Sequence, residues 1–123
     1  MASAAHVSDQ DAGARVIRNN QRSEMVALAL PAGKYALIAS GTVEGSNRRS
    51  VHGFVESGSI VVHSRSVTLE VDPVFVPFPT MFGVLNLPSG GTVRVSCLVS
   101  EFTPGDAAGV AFRLMALSVD SIG

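Results

Sequence analysis

The chain has 123 residues, enough for one domain with a sandwich-sized core and too short for two ordinary domains. Its formal net charge of −1 gives no electrostatic reason to expect nucleic acid or an anionic membrane as a partner. Hydrophobic residues reach 46% against 15% charged, more apolar surface than a small interior hides, so a partner is expected to cover the remainder.

Residues 1–23 form a compositional unit rich in Ala, Ser, Asp, Asn, Gln and Arg, in which Val7, Val16 and Ile17 are the large apolar exceptions. Arg15, Arg18 and Arg22 have the spacing of one face of a short helix, while Gly13 and Asn19-Asn20 argue against a long one. This segment is expected to be an N-terminal arm ordered by neighbouring subunits, with the sandwich domain occupying 24–123. Met1 to His6 lacks a charged stretch followed by an apolar core, so it does not read as a secretory signal. No apolar run approaches the length of a membrane-spanning helix.

From residue 24 onward, short runs of Val, Leu, Ile and Phe are punctuated by Pro, Gly and Ser clusters, which predicts an antiparallel all-β sandwich. The first strand covers 24–30 and ends at Pro31-Ala32-Gly33. On the second, 34–44, Tyr35, Leu37, Ala39, Gly41 and Val43 suit a core face, and the small Ala39 and Gly41 suit close packing. An exposed loop at 45–50 carries Arg48 and Arg49, whose planar forks are candidates to grip a partner's carboxylates.

Strands 51–56 and 59–64 flank a two-residue Ser57-Gly58 loop. That register places Glu56 opposite Ser59 and His52 opposite His63, a candidate pH-sensitive pair with the alternative of a transition-metal site completed by Glu56. Residues 65–71 continue this strand or begin another. Three prolines, Pro73, Pro77 and Pro79, lie within or just before the segment 74–79, which predicts an edge or a crossing between sheets. Phe75, Phe78, Met81 and Phe82 read as core packing or as an exposed contact patch.

A strand at 81–87 ends at Pro88-Ser89-Gly90-Gly91, and 92–99 alternates with Val93, Val95, Cys97 and Val99 inward. Cys97 is the only cysteine, which excludes an intrachain disulfide and predicts a small buried side chain. After a loop at 100–109, strand 110–119 is apolar on both sides. Val110, Phe112, Leu114 and Ala116 lie on one face; Met115, Leu117 and Val119 lie on the other. Met115 and Leu117 are therefore partner-binding candidates, since such a strand is covered on both sides. About eight strands in two sheets make a jelly roll with an N-terminal arm.

The runs Leu30-Pro31-Ala32-Gly33-Lys34-Tyr35-Ala36-Leu37-Ile38-Ala39-Ser40-Gly41-Thr42-Val43, Gly91-Thr92-Val93-Arg94-Val95-Ser96-Cys97-Leu98 and Leu114-Met115-Ala116-Leu117-Ser118-Val119 resemble strands of C1q/TNF-like jelly rolls of bacteria and phages. The resemblance implies a compact jelly roll that assembles as a homotrimer and works in binding or particle structure. It differs in lacking an aromatic-rich sheet face and a collagen-like stalk.

Catalytic machinery is not apparent. No serine sits in a Gly-x-Ser-x-Gly elbow, no Gly-rich loop carries the phosphate-binding lysine, and the aspartates occupy turn positions. No cofactor and no metal is expected. The expected role is a non-enzymatic, self-associating structural component of a virion, such as a capsid decoration or tail protein. Its place would be the particle after cytoplasmic synthesis, or else the cytoplasm. The alternative is a small lectin-like module binding a glycan, which the absence of Trp and the single Tyr disfavour.

Overall fold

The computed structural model describes residues 5–9, 15–18, 21–45, 49–69, 74–100 and 107–119. It contains nine strands among them: β1 (Ala5–Asp9), β2 (Arg15–Ile17), β3 (Ser23–Leu30), β4 (Gly33–Gly45), β5 (Ser50–Ser57), β6 (Ile60–Thr68), β7 (Val74–Leu87), β8 (Gly91–Ser100) and β9 (Ala107–Val119). The first sheet has the order β1-β9-β4-β7, with β2 also paired to β9, and the second has the order β3-β8-β5-β6. All pairings are antiparallel.

The pairings β2 with β9, β3 with β8, β4 with β7 and β5 with β6 are nested, as in one long hairpin folded over on itself. The further pairings of β4 with β9 and β5 with β8 close that hairpin into two facing layers. This is the jelly-roll-like, two-sheet sandwich that the spacing of apolar runs predicts.

The core forms where the inward faces meet. Tyr35, Leu37, Ala39 and Val43 of β4 and Phe112, Leu114 and Ala116 of β9 come from one sheet. Val51 and Val55 of β5 and Val93, Val95, Cys97 and Val99 of β8 come from the other. Alternation with period two is what places these side chains together. The buried Tyr35 hydroxyl donates to the Pro31 carbonyl at 2.7 Å, so the crossing turn between β3 and β4 is tied to the core.

Two glycines make room for the largest rings. Phe78 and Phe112 meet with ring centroids 6.1 Å apart. A methyl group at Gly53 would lie 2.6 Å from the Phe78 ring, and one at Gly41 would lie 2.5 Å from the Phe112 ring. Each sheet thus omits a side chain where the opposite or neighbouring strand supplies an aromatic.

Several expectations need correction. Arg15, Arg18 and Arg22 do not share a helical face: Arg15 lies in the short strand β2, Arg18 forms an antiparallel bridge with Gln21, and Arg22 directly precedes β3. Within residues 1–23, the expected arm, the described strands β1 and β2 pair with β9 of the same chain and so extend the first sheet. Residues 74–79 and 81–87 form one strand, β7; its prolines sit on the sheet edge as expected. β9 begins at Ala107, inside the expected loop.

The β5–β6 register also differs. The loop is Gly58-Ser59, with Gly58 at φ 58°, and Ser57 faces Ile60. A glycine at the first loop position is what this left-handed geometry favours. A bulge then shifts the register again between Val55 and Glu56, so His52 faces Ser66 and His63 faces Val55. The two histidines are not partners.

That bulge has a use. Val62 packs over Gly83, where any Cβ would overlap it, and the Phe82 backbone N–H donates to His63 Nδ1 at 3.0 Å. Both contacts join β6 of the second sheet to the edge strand β7 of the first.

Substituting Gly53→Ala is expected to lower stability by about 1–3 kcal/mol through overpacking against Phe78. Urea denaturation reads it, and Phe78→Leu on that background should recover part of the loss.

Candidate interaction surface

Outward-facing positions of the first sheet fall into rows across all four long-range paired strands. Val7, Met115, Ile38 and Phe82 stand side by side on β1, β9, β4 and β7. The next row is Ala5, Leu117, Ala36 and Val84. Their large side chains are open to solvent: Val7 is 45% exposed, Ile38 43%, Phe82 59%, Val84 57% and Leu117 42%. The rim is polar, with Lys34 and Asn86 at one end, and Ser40, Thr42 and Glu44 towards the other. An apolar centre inside a polar rim is the anatomy of a protein interface.

The outer face of the second sheet is different because it carries polar pairs made within the chain. Arg22 reaches across from the segment before β3 and donates to Glu56 at 2.6 and 3.2 Å. Its guanidinium also lies 4.0 Å from the centroid of the Phe54 ring. Glu56 is only 5% exposed, so the charge-assisted pair compensates a desolvated carboxylate. Arg94 stands opposite Glu56 on β8. His52 links three strands, with Nδ1 2.7 Å from Ser66 Oγ and Nε2 2.6 Å from Ser100 Oγ.

The sequence candidates therefore separate. Met115 and Leu117 lie on the open apolar face. Arg15 and Arg18 are exposed, whereas Arg22 is engaged within its own chain. Arg49 is half-buried, and its carbonyl accepts from the Leu69 N–H at 2.7 Å. Arg48 lies outside the described residues. Of the aromatic group, Phe78 and Met81 are core, and Phe75 and Phe82 are exposed.

Sequence reasoning missed Val7, Ile38 and Val84 as surface candidates. The only available signal was a large apolar residue within the otherwise small and polar set Lys34, Ala36, Ser40 and Thr42.

Among the described residues, no three His, Cys, Asp or Glu side chains cluster as metal ligands. Cys97 is buried, and desolvation pushes its thiol from 9.0 up to about 12.

No protein-family model and no curated protein sequence matches this chain. Solved structures do resemble it. The structure of infectious bursal disease virus Gx strain is 7% identical with a TM-score of 0.55, the match covering 98% of this chain and 33% of that chain. The VP2 subviral particle of infectious bursal disease virus is 9% identical with a TM-score of 0.53, covering 95% and 33%. At such identities the likeness is one of fold. This chain spans about a third of the length of the viral chains it matches.

Arg22→Ala is expected to cost about 1–2 kcal/mol in denaturant unfolding, since it strips a charged partner from a buried carboxylate. At about pH 8 the Cys97 thiol should resist an aromatic disulfide reagent until the protein is denatured. Unfolding restores the ordinary thiol value, so Cys97 contributes constant stability below pH 9.0 and a falling contribution as pH rises towards about 12. Cys97→Ala should remove that alkaline slope.

Proposed function

We propose that this protein is a non-enzymatic, self-associating structural subunit of a larger particle, such as a capsid decoration or tail component of a virion. The observation that carries this reading is the open apolar face centred on Met115, Ile38 and Phe82. Exposing so many large apolar side chains side by side is unfavourable in water, at roughly 25 cal/mol for each Å² left uncovered. Covering the face by association removes that cost.

The reading is supported by the solved structures that share this fold, which come from a virus and from a VP2 subviral particle. The resemblance to C1q/TNF-like proteins favours a homotrimer as the closed unit. Residence in a virion after cytoplasmic synthesis follows from the same reading. The rival reading, a glycan-binding module, gains little from the geometry: the aromatic side chains exposed on the first sheet, Phe75 and Phe82, belong to one broad apolar face.

Sedimentation at micromolar concentration should give a species of at least three times the 12.7 kDa of one chain. A monomer that binds a sugar on a glycan array would overturn the assignment.

A further inference from the structure

The rim charges of the apolar face say how it is covered. Lys34 and Glu44 both point outward from β4, near its two ends, ten residues apart. They are separated by about 33 Å of strand, with the apolar rows between them. Turning a second copy by half a turn about an axis that lies in the interface plane, crosses β4 at right angles and passes near Ala39 reverses the strand direction. Lys34 of each copy then faces Glu44 of the other. The same rotation keeps β7 over β7, sets Val84 of one copy across from Pro77 of the other, and brings Ile38 across from Ser40 and Met115 across from Arg113, whose stem can lie along the thioether.

From this complementarity we infer that the occupant of the face is a second copy of the chain, docked sheet against sheet across a two-fold axis. The contact is isologous, so it closes on itself. It rests on the reading of the protein as a self-associating subunit and specifies one of its contacts. A two-fold contact does not by itself close a trimer; it joins such units to one another.

Size agrees. Four strands at about 4.8 Å spacing, over about 33 Å, give a face on the order of 600 Å² per copy before side-chain relief is added. A standard interface takes about 800 Å² per partner. Two sheets stacked about 10 Å apart with strands within about 30° of antiparallel would interdigitate these rows.

The test compares wild type, Ile38→Asp, Lys34→Glu, Glu44→Lys and the double charge reversal by sedimentation equilibrium, with circular dichroism confirming the fold of each. Wild type is expected to show a species of even copy number. Ile38→Asp should weaken that step at least a hundredfold. Each single reversal sets like charges opposite one another twice per contact, and is expected to weaken it about three- to tenfold. The double reversal should return to within about twofold of wild type.

The inference is overturned if Ile38→Asp assembles as wild type does, or if the double reversal is no better than the singles. Should wild type itself be monomeric, the self-association reading fails before this contact is tested.

Discussion

The first sheet has to bury two faces. Its inward side, led by Tyr35, Leu37, Phe112 and Leu114, meets the second sheet and is closed within the chain. Its outward side repeats an apolar centre in register across β1, β9, β4 and β7, and no described element of the same chain covers it. The exterior of the second sheet instead carries intrachain polar pairs, with Arg22 on Glu56 and His52 between two serines.

Nested pairing is what makes so flat and wide a face available. β9 and β4 are central and long, and they sit next to one another only because the hairpin folds back on itself. β1 widens the face by one strand, so its Val7 completes a row that begins at Phe82 on the far edge. At that edge, Pro77 and Pro79 of β7 withhold backbone donors, and His63 takes the Phe82 N–H. These features discourage edge-to-edge strand addition and favour contact through the face. Pairing between distant parts of the chain also implies slow folding, as is general for sandwiches.

Much of the architecture is legible in the sequence because period-two burial is local. The inward sets on β4 and β8 can be read by counting alternate residues, and prolines mark β7 as an edge; on β9 the count holds from Phe112 to Ala116 and breaks at Ala111, whose φ of 53° accompanies a register shift that pairs Val110 with Thr42. The β5–β6 register was not legible. It depends on a turn displaced by one residue and on a bulge at Val62 and His63, whose cause is the distant Gly83 and Phe82. β1 was hidden for another reason. Ala5, His6 and Ser8 have weak strand character alone, and pairing with β9 supplies the order.

The interaction surface was half visible. Met115 and Leu117 stand out on a doubly apolar strand, whereas Ile38, Phe82 and Val84 become neighbours only once three registers are known. Similarly, three arginines at helical spacing drew attention to the wrong geometry, and the one with a defined role, Arg22, acts inside the chain. Pairwise spacing along a sequence does not report which sheet face a residue joins.

Hydroxyl-radical footprinting of the native assembly against the dilute single chain tests the central claim most directly, since Met and Phe side chains report their own exposure. Met115 and Phe82 should lose most of their reactivity on assembly, with Phe54 on the second sheet unchanged. Equal labelling of Met115 and Phe82 in both states would show that the outer face of the first sheet is not where copies meet.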